Sequence, residues 1–508
     1  MDFFIGIDVG TSGTKSLLVD SEGKILAQAT AIYPLLTPQP GWTEQDPEQW
    51  WRAAVQGVRT IVSEAGIPAD AVRGIGLSGQ MHGSVFLDKN NTVIRPAILW
   101  NDQRTAAECR EIERRVGGRK KLLQWVANPA LTGFTAPKIL WLRNHEPENF
   151  ARVHHILLPK DYVLLRLTGA FATEVSDASG TLLLNVTQRR WSKEMLTALE
   201  IREEWLPPVF ESPEVTGHLT TDAAKQMGLP SGIPVVGGGG DQAAGAVGTG
   251  AVEPGILSVA LGTSGVVFAP SRAPSLDAEG RLHTFCHAVP GAWHVMGVML
   301  AAGGSFQWFR NALAKEEQLR ARTENRDVYD ILTEMAAGVP VGAENLFFLP
   351  YLSGERTPHA DPNARGAFLG LSLRHRKEHL VRAVLEGITF GLRDSLEIIR
   401  ALNIPIREIR VSGGGGKSPF WRQLLSDIFD EEIAVLNVEE GPAFGAALLA
   451  AVGTGAFESV EKACRVGVQV VDRVLPNTER AAEYEKRYRF FRTLYPALKD
   501  RFAELVRL

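Results

Sequence analysis

Asp8-Val9-Gly10-Thr11-Ser12-Gly13-Thr14-Lys15 is the stretch of this 508-residue chain that decides its fold. It follows an apolar run, Phe3 to Val9, which predicts a strand, and it leads into a second predicted strand from Lys15 to Asp20. Small residues in such a turn let backbone N–H groups and hydroxyls approach a polyphosphate. From this stretch alone, a plain glycine-rich hairpin stays open as the alternative. The GxxxxGK[ST] spacing of a Walker loop is absent.

The sequence contains three pairs of repeated segments, in the order expected of two similar halves. The pairs are Gly10 to Gly13 with Gly262-Thr263-Ser264-Gly265, Ala246 to Ala251 with Ala451 to Ala456, and Gly237 to Gly240 with Gly413 to Gly416. A predicted helix that begins after Asp46 and a predicted strand from Val72 to Leu77 give a strand–helix–strand order, which is typical of α/β proteins. We therefore predict two related α/β domains that join near residues 251–255.

Composition sets limits on the function. Hydrophobic residues make up 45% of the chain and charged residues 22%, and the formal net charge is −4, so no electrostatic feature indicates nucleic acid or an anionic membrane surface. The three cysteines lie far apart and predict no disulfide framework. Residues 1–6 lack the basic region of a signal peptide, and no apolar stretch reaches membrane-spanning length. A cytoplasmic protein is the default expectation.

The two hairpins differ in one informative position. Ala260 stands in the second copy where the first has Asp8. Both turns can hold one phosphate chain from opposite sides, while only the first supplies a carboxylate, which can hold magnesium through water. Lys15 can add a positive charge. The run Gly413 to Gly416 follows a predicted strand and precedes a predicted helix, so its backbone can approach a nucleotide.

Asp241 is the candidate catalytic residue, because glycines introduce it at the end of a predicted strand. An alternative is that Asp241 caps the following helix, and the residues alone leave both interpretations open. Met81 and His82 also follow a predicted strand. A histidine packed in the core is the alternative interpretation for His82.

Longer motifs reveal a resemblance. The hairpins and the later glycine run resemble the phosphate and adenosine motifs of the actin-like ATPase superfamily. Over nearly its whole length the chain resembles the FGGY family of carbohydrate kinases: residues 133–142 are similar to the first signature of that family, and residues 366–387 are similar to the second. Five further stretches look like family members that phosphorylate xylulose, namely Trp42 to Pro47, Gly79 to Gly83, Leu99 to Asp102, Leu158 to Tyr162 and Pro350 to Pro358.

The resemblance implies two ribonuclease-H-like domains that flank a catalytic cleft, at residues 1–250 and 255–508. The first would hold the sugar and the second would hold adenosine. It implies ATP-dependent phosphorylation of D-xylulose at its 5-hydroxyl, with magnesium, and it leaves a homodimer open. The catalytic residues would be Asp241 and Asp8, with Asp8 also at the metal. The implied sugar-binding residues are Met81, His82, Asp241, Gln242, Asn101 and Asp102. The implied nucleotide-binding residues are Gly10, Thr11, Ser12, Lys15, Gly262, Thr263, Ser264, Gly413, Gly414, Gly415 and Gly416.

Two alternatives stay open at this point. One is a kinase for another ketose or polyol, such as ribulose, gluconate or glycerol. Glycerol-phosphorylating members of the family carry other residues at the Gln80-Met81-His82 position, which favours a ketose. The other alternative is an actin-like ATPase that works as a switch.

Overall fold

Two large sheets, one in each half of the chain, organise the computed structural model, which describes residues 2–506 and 508. The strands of the first half are β1 (Phe3–Val9), β2 (Gly13–Asp20), β3 (Ile25–Ile32), β4 (Glu44–Gln45), β5 (Val72–Gly79), β6 (Val85–Leu87), β7 (Ala97–Ile98), β8 (His155–Leu157), β9 (Thr173–Glu174), β10 (Leu184–Asn185), β11 (Arg190–Trp191), β12 (Val209–Phe210), β13 (Val215–His218), β14 (Pro234–Val236) and β15 (Gly239–Gly240). Those of the second half are β16 (Gly255–Leu261), β17 (Gly265–Ser271), β18 (His283–Cys286), β19 (Trp293–Met299), β20 (Phe347–Leu349), β21 (Ala367–Leu369), β22 (Ile406–Ser412), β23 (Ile433–Leu436) and β24 (Val470–Val474).

Helices connect and cover these strands. They are α1 (Pro47–Ala65), α2 (Ala106–Val116), α3 (Arg119–Val126), α4 (Thr135–His145), α5 (Pro147–Phe150), α6 (Pro159–Thr168), α7 (Val175–Ala178), α8 (Lys193–Leu199), α9 (Thr221–Met227), α10 (Asp241–Gly248), α11 (Gly303–Leu313), α12 (Lys315–Glu324), α13 (Val328–Ala337), α14 (Lys377–Ala401), α15 (Pro419–Phe429), α16 (Pro442–Gly453), α17 (Val460–Gly467) and α18 (Thr478–Leu505). None of the helices within the described residues is long and apolar enough to cross a membrane.

The two sheets repeat one topology. The first has the order β13-β14-β5-β1-β2-β3, and the second has the order β24-β23-β22-β16-β17-β19-β18. In each sheet an antiparallel three-stranded meander (β1–β2–β3 or β16–β17–β19) continues into two parallel neighbours (β5 and β14, or β22 and β23) and ends on an antiparallel edge strand. The predicted duplicated α/β architecture is therefore confirmed.

One of the three repeat pairs does not follow this duplication. Gly237 to Gly240 follows β14, whose counterpart is β23, while Gly413 to Gly416 follows β22, whose counterpart is β5. Pairing the two glycine runs as equivalents was wrong. The runs share a physical cause, since each passes close to a neighbouring strand: a Cβ on Gly238 would lie 1.8 Å from the Leu77 carbonyl oxygen, and one on Gly413 would lie 2.7 Å from that of Leu261.

Helix α1 shows how local sequence fixes the first domain. The carboxylate of Asp46 accepts a hydrogen bond from the Glu48 N–H at the start of the helix, and Gly66 ends it with a φ of 62°. Between them an apolar face of Trp50, Ala54, Val58 and Ile61 is buried against the first sheet. Burying each large apolar side chain of such a face stabilises the domain by about 1.5–3 kcal/mol.

One helix from each half builds the contact between the halves. Helices α10 and α16, each of which ends with the first three residues of a repeated Ala-Val-Gly-Thr-Gly-Ala segment, pack directly against each other, and α16 also lies on the first sheet. Glycines permit this close packing, since a Cβ on Gly445 would lie 1.8 Å from the Ala244 carbonyl oxygen and one on Gly76 would lie 1.9 Å from that of Ala446. The second half therefore supplies part of the first sheet's cover.

The last helix closes the second half. Helix α18 packs on α15 and contributes Tyr484, Tyr488 and Phe491 to the core of that half. The three cysteines are unpaired, with Cys286 and Cys464 buried. Burial raises the pKa of the Cys286 thiol to about 11, which keeps this thiol protonated.

Candidate active site

Asp8 and Asp241 lie at the same edge of the first sheet. Strand β5 is parallel to both β1 and β15, and its Ser78 pairs with Asp8 on one side and with Gly239 on the other. The carboxyl ends of the three strands therefore coincide, and α10 begins with Asp241 immediately beyond β15. Gly238 makes this possible, because its φ of 76° and its tight approach to β5 exclude a side chain.

The environment of both carboxyl groups favours the protonated form. Burial, together with the charge of Asp8, raises the pKa of Asp241 to about 7, although Gln242 partly opposes this shift. Burial likewise raises the pKa of Asp8 to about 6, and the charge of Lys15 partly opposes it. A carboxyl group with a pKa near neutral is a stronger base than a free aspartate, so Asp241 is suited to accept a proton.

A polar network holds the first hairpin at this edge. Thr11 Oγ1 donates a hydrogen bond to Gln80 Oε1 at 3.1 Å and accepts one from Trp100 Nε1 at 2.9 Å. Gln45 Nε2 donates to the Thr11 carbonyl oxygen at 2.6 Å, and Gln80 Nε2 donates to Gln45 Oε1 at 3.0 Å. Ser12 stays exposed at the tip of the turn. Sequence reasoning missed the supporting roles of Gln45, Gln80 and Trp100, although all three lie in the motifs that resemble the kinase family.

Met81 and His82 line the same region. The side chain of Met81 packs against Gly240, where an added Cβ would lie 2.9 Å from Met81 Cγ. His82 is buried, packs against Phe134 with ring centroids 4.6 Å apart and the rings tilted by 31°, and has a φ of 69°. A positive φ is costly for a side chain of this size and is concentrated at functional positions.

The protonation state of His82 follows from its partners. Its Nδ1 lies 2.7 Å from the Gly180 carbonyl oxygen, and because a carbonyl only accepts, Nδ1 carries the proton. Burial and the nearby charge of Arg356 hold the pKa of His82 well below its usual range. His82 is therefore neutral at physiological pH, and its Nε2 presents a lone pair that can accept a hydrogen bond from a hydroxyl group.

The three other predicted sugar residues differ in their contacts. Gln242 follows Asp241 directly and is half-buried at the start of α10. Asn101 Oδ1 accepts a hydrogen bond from Thr43 Oγ1 at 2.7 Å. Asp102 is fully buried, and both of its carboxylate oxygens accept hydrogen bonds from Thr43 N or from Arg104 at 2.6–2.9 Å. Protein donors therefore already engage the Asp102 carboxylate.

A cluster of buried charged side chains lies beside Gly240, the residue that precedes Asp241. Lys160 Nζ lies 2.6 Å from Asp161 Oδ1 and 3.8 Å from a carboxylate oxygen of Glu174. Ser176 Oγ donates to Glu174 at 2.9 Å and accepts from the Gly240 N–H at 3.1 Å. Lys160 is thus linked through two side chains to the residue before Asp241. Sequence reasoning quoted Lys160 within a family motif but gave it no role, because nothing in a sequence shows that a lysine is completely buried.

The second hairpin and the later glycine run border a cavity of about 710 Å³ in the second half. The carbonyl oxygens of Gly262 and Thr263 accept hydrogen bonds at 2.9 Å from the N–H groups of Gly303 and Gly304, where α11 begins. Gly414 and Gly415 also line the cavity, and Gly415 packs close to Leu261, where an added Cβ would lie 2.9 Å from Leu261 Cβ. The remaining lining residues, which sequence reasoning did not identify, are Leu261, Phe306, Gln307, Asp327, Tyr329, Asp330, Thr333, Lys417, Ser418 and Trp421.

An acidic loop of the second half contacts both groups of phosphate-binding candidates. Glu440 forms an ion pair with Lys15 at 2.5 Å, and Glu439 forms one with Lys417 at 2.6 Å. The first hairpin and the residue that follows the glycine run are therefore each joined by an ion pair to the segment that precedes α16.

The donor set fits magnesium rather than a metal held by protein ligands alone. Among the described residues there is no cluster of three or more His, Cys, Asp or Glu that could hold a metal ion. Asp8 Oδ1 is nevertheless buried without a hydrogen-bond partner in the part of the chain that the structure describes. Magnesium prefers one or two carboxylates together with water and phosphate oxygens, and Asp8 fits that requirement.

The chain is similar to known sugar kinases over its whole length. The N-terminal-domain model of the FGGY family of carbohydrate kinases matches residues 3–248, and the C-terminal-domain model matches residues 257–454. A curated relative, the xylulose kinase of Lactococcus lactis subsp. lactis, is 42% identical over 511 residues, which cover 100% of this chain and 99% of that protein.

Solved structures lead to the same family. The ligand-bound xylulose kinase of Lactobacillus acidophilus is 28% identical, with a TM-score of 0.91 over 99% of this chain and 100% of that one. The gluconate kinase of the same organism is also 28% identical, with a TM-score of 0.91 over 99% of each chain.

Proposed function

Because the chain belongs to the FGGY family of carbohydrate kinases, we propose that it transfers the γ-phosphoryl group of ATP to the 5-hydroxyl of D-xylulose. The products are D-xylulose 5-phosphate and ADP. The observation that carries this proposal is the meeting of Asp8, Asp241 and the Met81–His82 pair around the ends of β1, β5 and β15. The full-length similarity to a xylulose kinase at 42% identity supports the choice of sugar.

Asp241 is the proposed general base. Its carboxylate accepts the proton of the 5-hydroxyl while the oxygen of that hydroxyl forms a bond to the γ-phosphorus. The bond between the γ-phosphorus and the bridging oxygen breaks, and ADP leaves with the electron pair. Phosphoryl transfer has a loose transition state, so positioning and charge neutralisation supply most of the acceleration.

The proposed sugar site uses the predicted residues in two ways. His82 Nε2 accepts a hydrogen bond from a hydroxyl, and Met81 forms an apolar wall that fixes the carbon chain. Gln242 and Asn101 are proposed as further hydroxyl partners. Asp102 is proposed to act at the sugar site mainly by holding Arg104 and the Thr43 backbone, since its oxygens already accept four hydrogen bonds.

ATP is proposed to lie between the halves, with its phosphates at both hairpins. Gly10, Thr11, Ser12 and Lys15 would contact it from the first half. From the second half the contacts would come from Gly262, Thr263, Ser264 and Gly413 to Gly416. The 710 Å³ cavity beside the second hairpin is large enough for an adenosine group. This arrangement assigns the sugar to residues 1–250 and the adenosine to residues 255–508.

Asp8 is the residue proposed to hold magnesium, through water. When bound, the ion would neutralise charge on the phosphate oxygens. Asp8 itself keeps a buried, unpartnered oxygen directed at this edge of the sheet. Since the proposed reaction consumes ATP, we place the protein in the cytoplasm. The homodimer stays a prediction.

A gluconate kinase is the second candidate, because the gluconate kinase structure matches this chain as well as the xylulose kinase structure from the same organism does. The test is ATP consumption over a panel of D-xylulose, D-ribulose, gluconate and glycerol, with magnesium present. We expect D-xylulose to give the highest kcat/KM. A higher kcat/KM with gluconate would select the second candidate, and sugar-independent ATP hydrolysis alone would favour an ATPase switch.

A further inference from the structure

Arg356 brings a side chain of the second half to the wall of the sugar site in the first half. It lies in the segment that follows β20, within the stretch Ser353-Gly354-Glu355-Arg356-Thr357-Pro358. Its Nη2 lies 3.1 Å from the point where a Cβ of Gly133 would stand. Gly133 also packs against the Trp100 carbonyl oxygen, and Trp100 in turn donates to the phosphate hairpin at Thr11.

Within the described residues, the guanidinium group of Arg356 has no protein acceptor: it forms neither a hydrogen bond nor an ion pair. Its nitrogens are not completely buried. The adjacent Glu355 forms no ion pair with it within the described residues: Glu355 Oε1 accepts hydrogen bonds from the backbone N–H groups of Leu300 and Arg356. Burial lowers the pKa of Arg356 only to about 10, so the group stays charged at neutral pH.

This charge stands at one end of the site. Arg356 contacts Gly133, and the ring of the next residue, Phe134, packs against the His82 ring with centroids 4.6 Å apart. Arg356 therefore lies on the His82 side of the site, and its charge is among the causes that lower the pKa of His82. If the 5-hydroxyl of a ketopentose is at Asp241, the end that carries its C2 carbonyl points towards His82 and Arg356.

The two side chains offer complementary hydrogen-bonding groups. His82 Nε2 is an acceptor, since Nδ1 carries the proton, and the guanidinium offers only donors. A hydroxyketone presents the matching pattern, because its carbonyl oxygen only accepts and its hydroxyl can donate. We propose that Arg356 determines specificity by donating hydrogen bonds to the C2 carbonyl oxygen of the ketose while His82 accepts one from a neighbouring hydroxyl. This inference rests on the proposed function.

The expected consequence is discrimination between a ketose and an alditol that has no oxygen at C2. The 2-deoxypentitol with the C3 and C4 configuration of D-xylulose keeps the carbon chain and the other hydroxyls but offers no acceptor at C2, whereas the C2 hydroxyl of xylitol could still accept from the guanidinium. A hydrogen bond from a charged donor to a substrate group is worth about ten- to hundred-fold in affinity or kcat/KM. Removing the guanidinium should therefore weaken binding of the ketose much more than binding of the alditol.

The experiment compares the wild-type enzyme with Arg356→Met and Arg356→Lys. It measures the KM of D-xylulose, the inhibition constant of the 2-deoxypentitol and the KM of ATP. For Arg356→Met we expect the D-xylulose KM to rise about ten-fold or more, with the inhibition constant of the 2-deoxypentitol and the ATP KM within about three-fold of wild type. Arg356→Lys keeps the charge but loses the fork of donors, so its D-xylulose KM should lie between that of wild type and that of Arg356→Met.

Arg489→Met is the matched control, because it removes an exposed guanidinium from α18, far from the site. Equal melting temperatures for the three variants show that folding is retained. Three results for Arg356→Met would each overturn the assignment of Arg356 to the carbonyl. They are an equal loss of affinity for the ketose and the alditol, an unchanged affinity for both, and a change confined to the ATP KM. A wild-type enzyme that phosphorylates gluconate and not D-xylulose would overturn the proposed function instead, and would assign the guanidinium to the gluconate carboxylate.

Discussion

Asp8 and Asp241 lie at the ends of the two strands that flank β5, and after burial the charge of Asp8 is the next cause that raises the pKa of Asp241. Each belongs to a different segment, one near the end of β1 and the other at the start of α10. Repulsion between the two charges therefore adds to burial in favouring the protonated form of Asp241.

The first prediction concerns stability and pH. The folded-state pKa of Asp241, about 7, lies above its ordinary value of 3.8, so the folded wild type binds an additional proton between those values and loses stability as the pH rises towards 7. Asp241→Asn lacks this loss. In nucleotide-free protein with EDTA, the melting temperature of the variant minus that of wild type should be larger at pH 8 than at pH 5. A difference that shrinks with rising pH would contradict the pKa assignment.

The second prediction concerns His82. His82→Gln should raise the KM of the sugar about ten-fold and leave the KM of ATP unchanged, because the proposed partner of His82 Nε2 is a sugar hydroxyl and not the nucleotide. His287→Gln is the control, since His287 is buried with its Nε2 3.0 Å from the Ala251 carbonyl oxygen and should affect folding stability alone. An equal rise in both KM values for His82→Gln would indicate a purely structural histidine.

The third prediction compares two fully buried lysines. Lys160 is ion-paired with Asp161, and its pKa is raised, whereas Lys138 donates to the carbonyl oxygens of His82 and Gly133, and burial holds its pKa well below the usual range. Lys160→Met leaves buried carboxylates unpaired and should cost about 3–5 kcal/mol. Lys138→Met removes one donor from the Gly133 carbonyl and one of the two donors of the His82 carbonyl, which keeps Thr135 Oγ1, and should cost about 1–3 kcal/mol.

Urea unfolding of both lysine variants measures this difference. Because Lys160 is linked through Glu174 and Ser176 to Gly240, its variant should also lower kcat at a temperature where it is fully folded. A Lys138→Met variant that is the less stable of the two would show that the cluster of buried charged side chains does not have the stabilising role described here.

The fourth prediction concerns the ion pair between Lys15 and Glu440. Both side chains are partly exposed, at 33% and 25%, so the pair is worth less than about 1 kcal/mol of stability. Glu440 and the phosphates of ATP would compete for Lys15. Glu440→Gln should lower the ATP KM by about two- to five-fold and leave the melting temperature nearly unchanged, as measured by initial rates at varied ATP. A raised ATP KM would show that Glu440 assists nucleotide binding.

Much of the fold could be predicted because its signals are local. The strand β1, the capped helix α1 and the two repeated hairpins each depend on neighbouring residues, and the structure has them where the sequence predicts them. The glycine runs were paired wrongly because identical composition arises from two different close approaches, at Gly238 and at Gly413. Only the strand order separates the two cases.

The site residues that were missed depend on contacts between distant segments. Lys160 meets Glu174, and Arg356 meets Gly133 across 223 positions of the sequence, so neither contact leaves a periodic signal. The left-handed backbone of His82 has the same origin, because only the packing of Gly180 and Phe134 around the ring requires it. Motifs indicated which segments matter, and the three-dimensional structure was needed to give each side chain a partner.

The most direct test of the account is to identify the product of the reaction. Wild type and Asp241→Asn are each incubated with D-xylulose, ATP and magnesium, and phosphorus NMR locates the new phosphate ester. We expect D-xylulose 5-phosphate from wild type, and a rate lower by about 10²- to 10⁴-fold from the variant with ATP binding retained. An ester at another hydroxyl, or undiminished turnover by Asp241→Asn, would contradict the assignment of Asp241 as the base that faces the 5-hydroxyl.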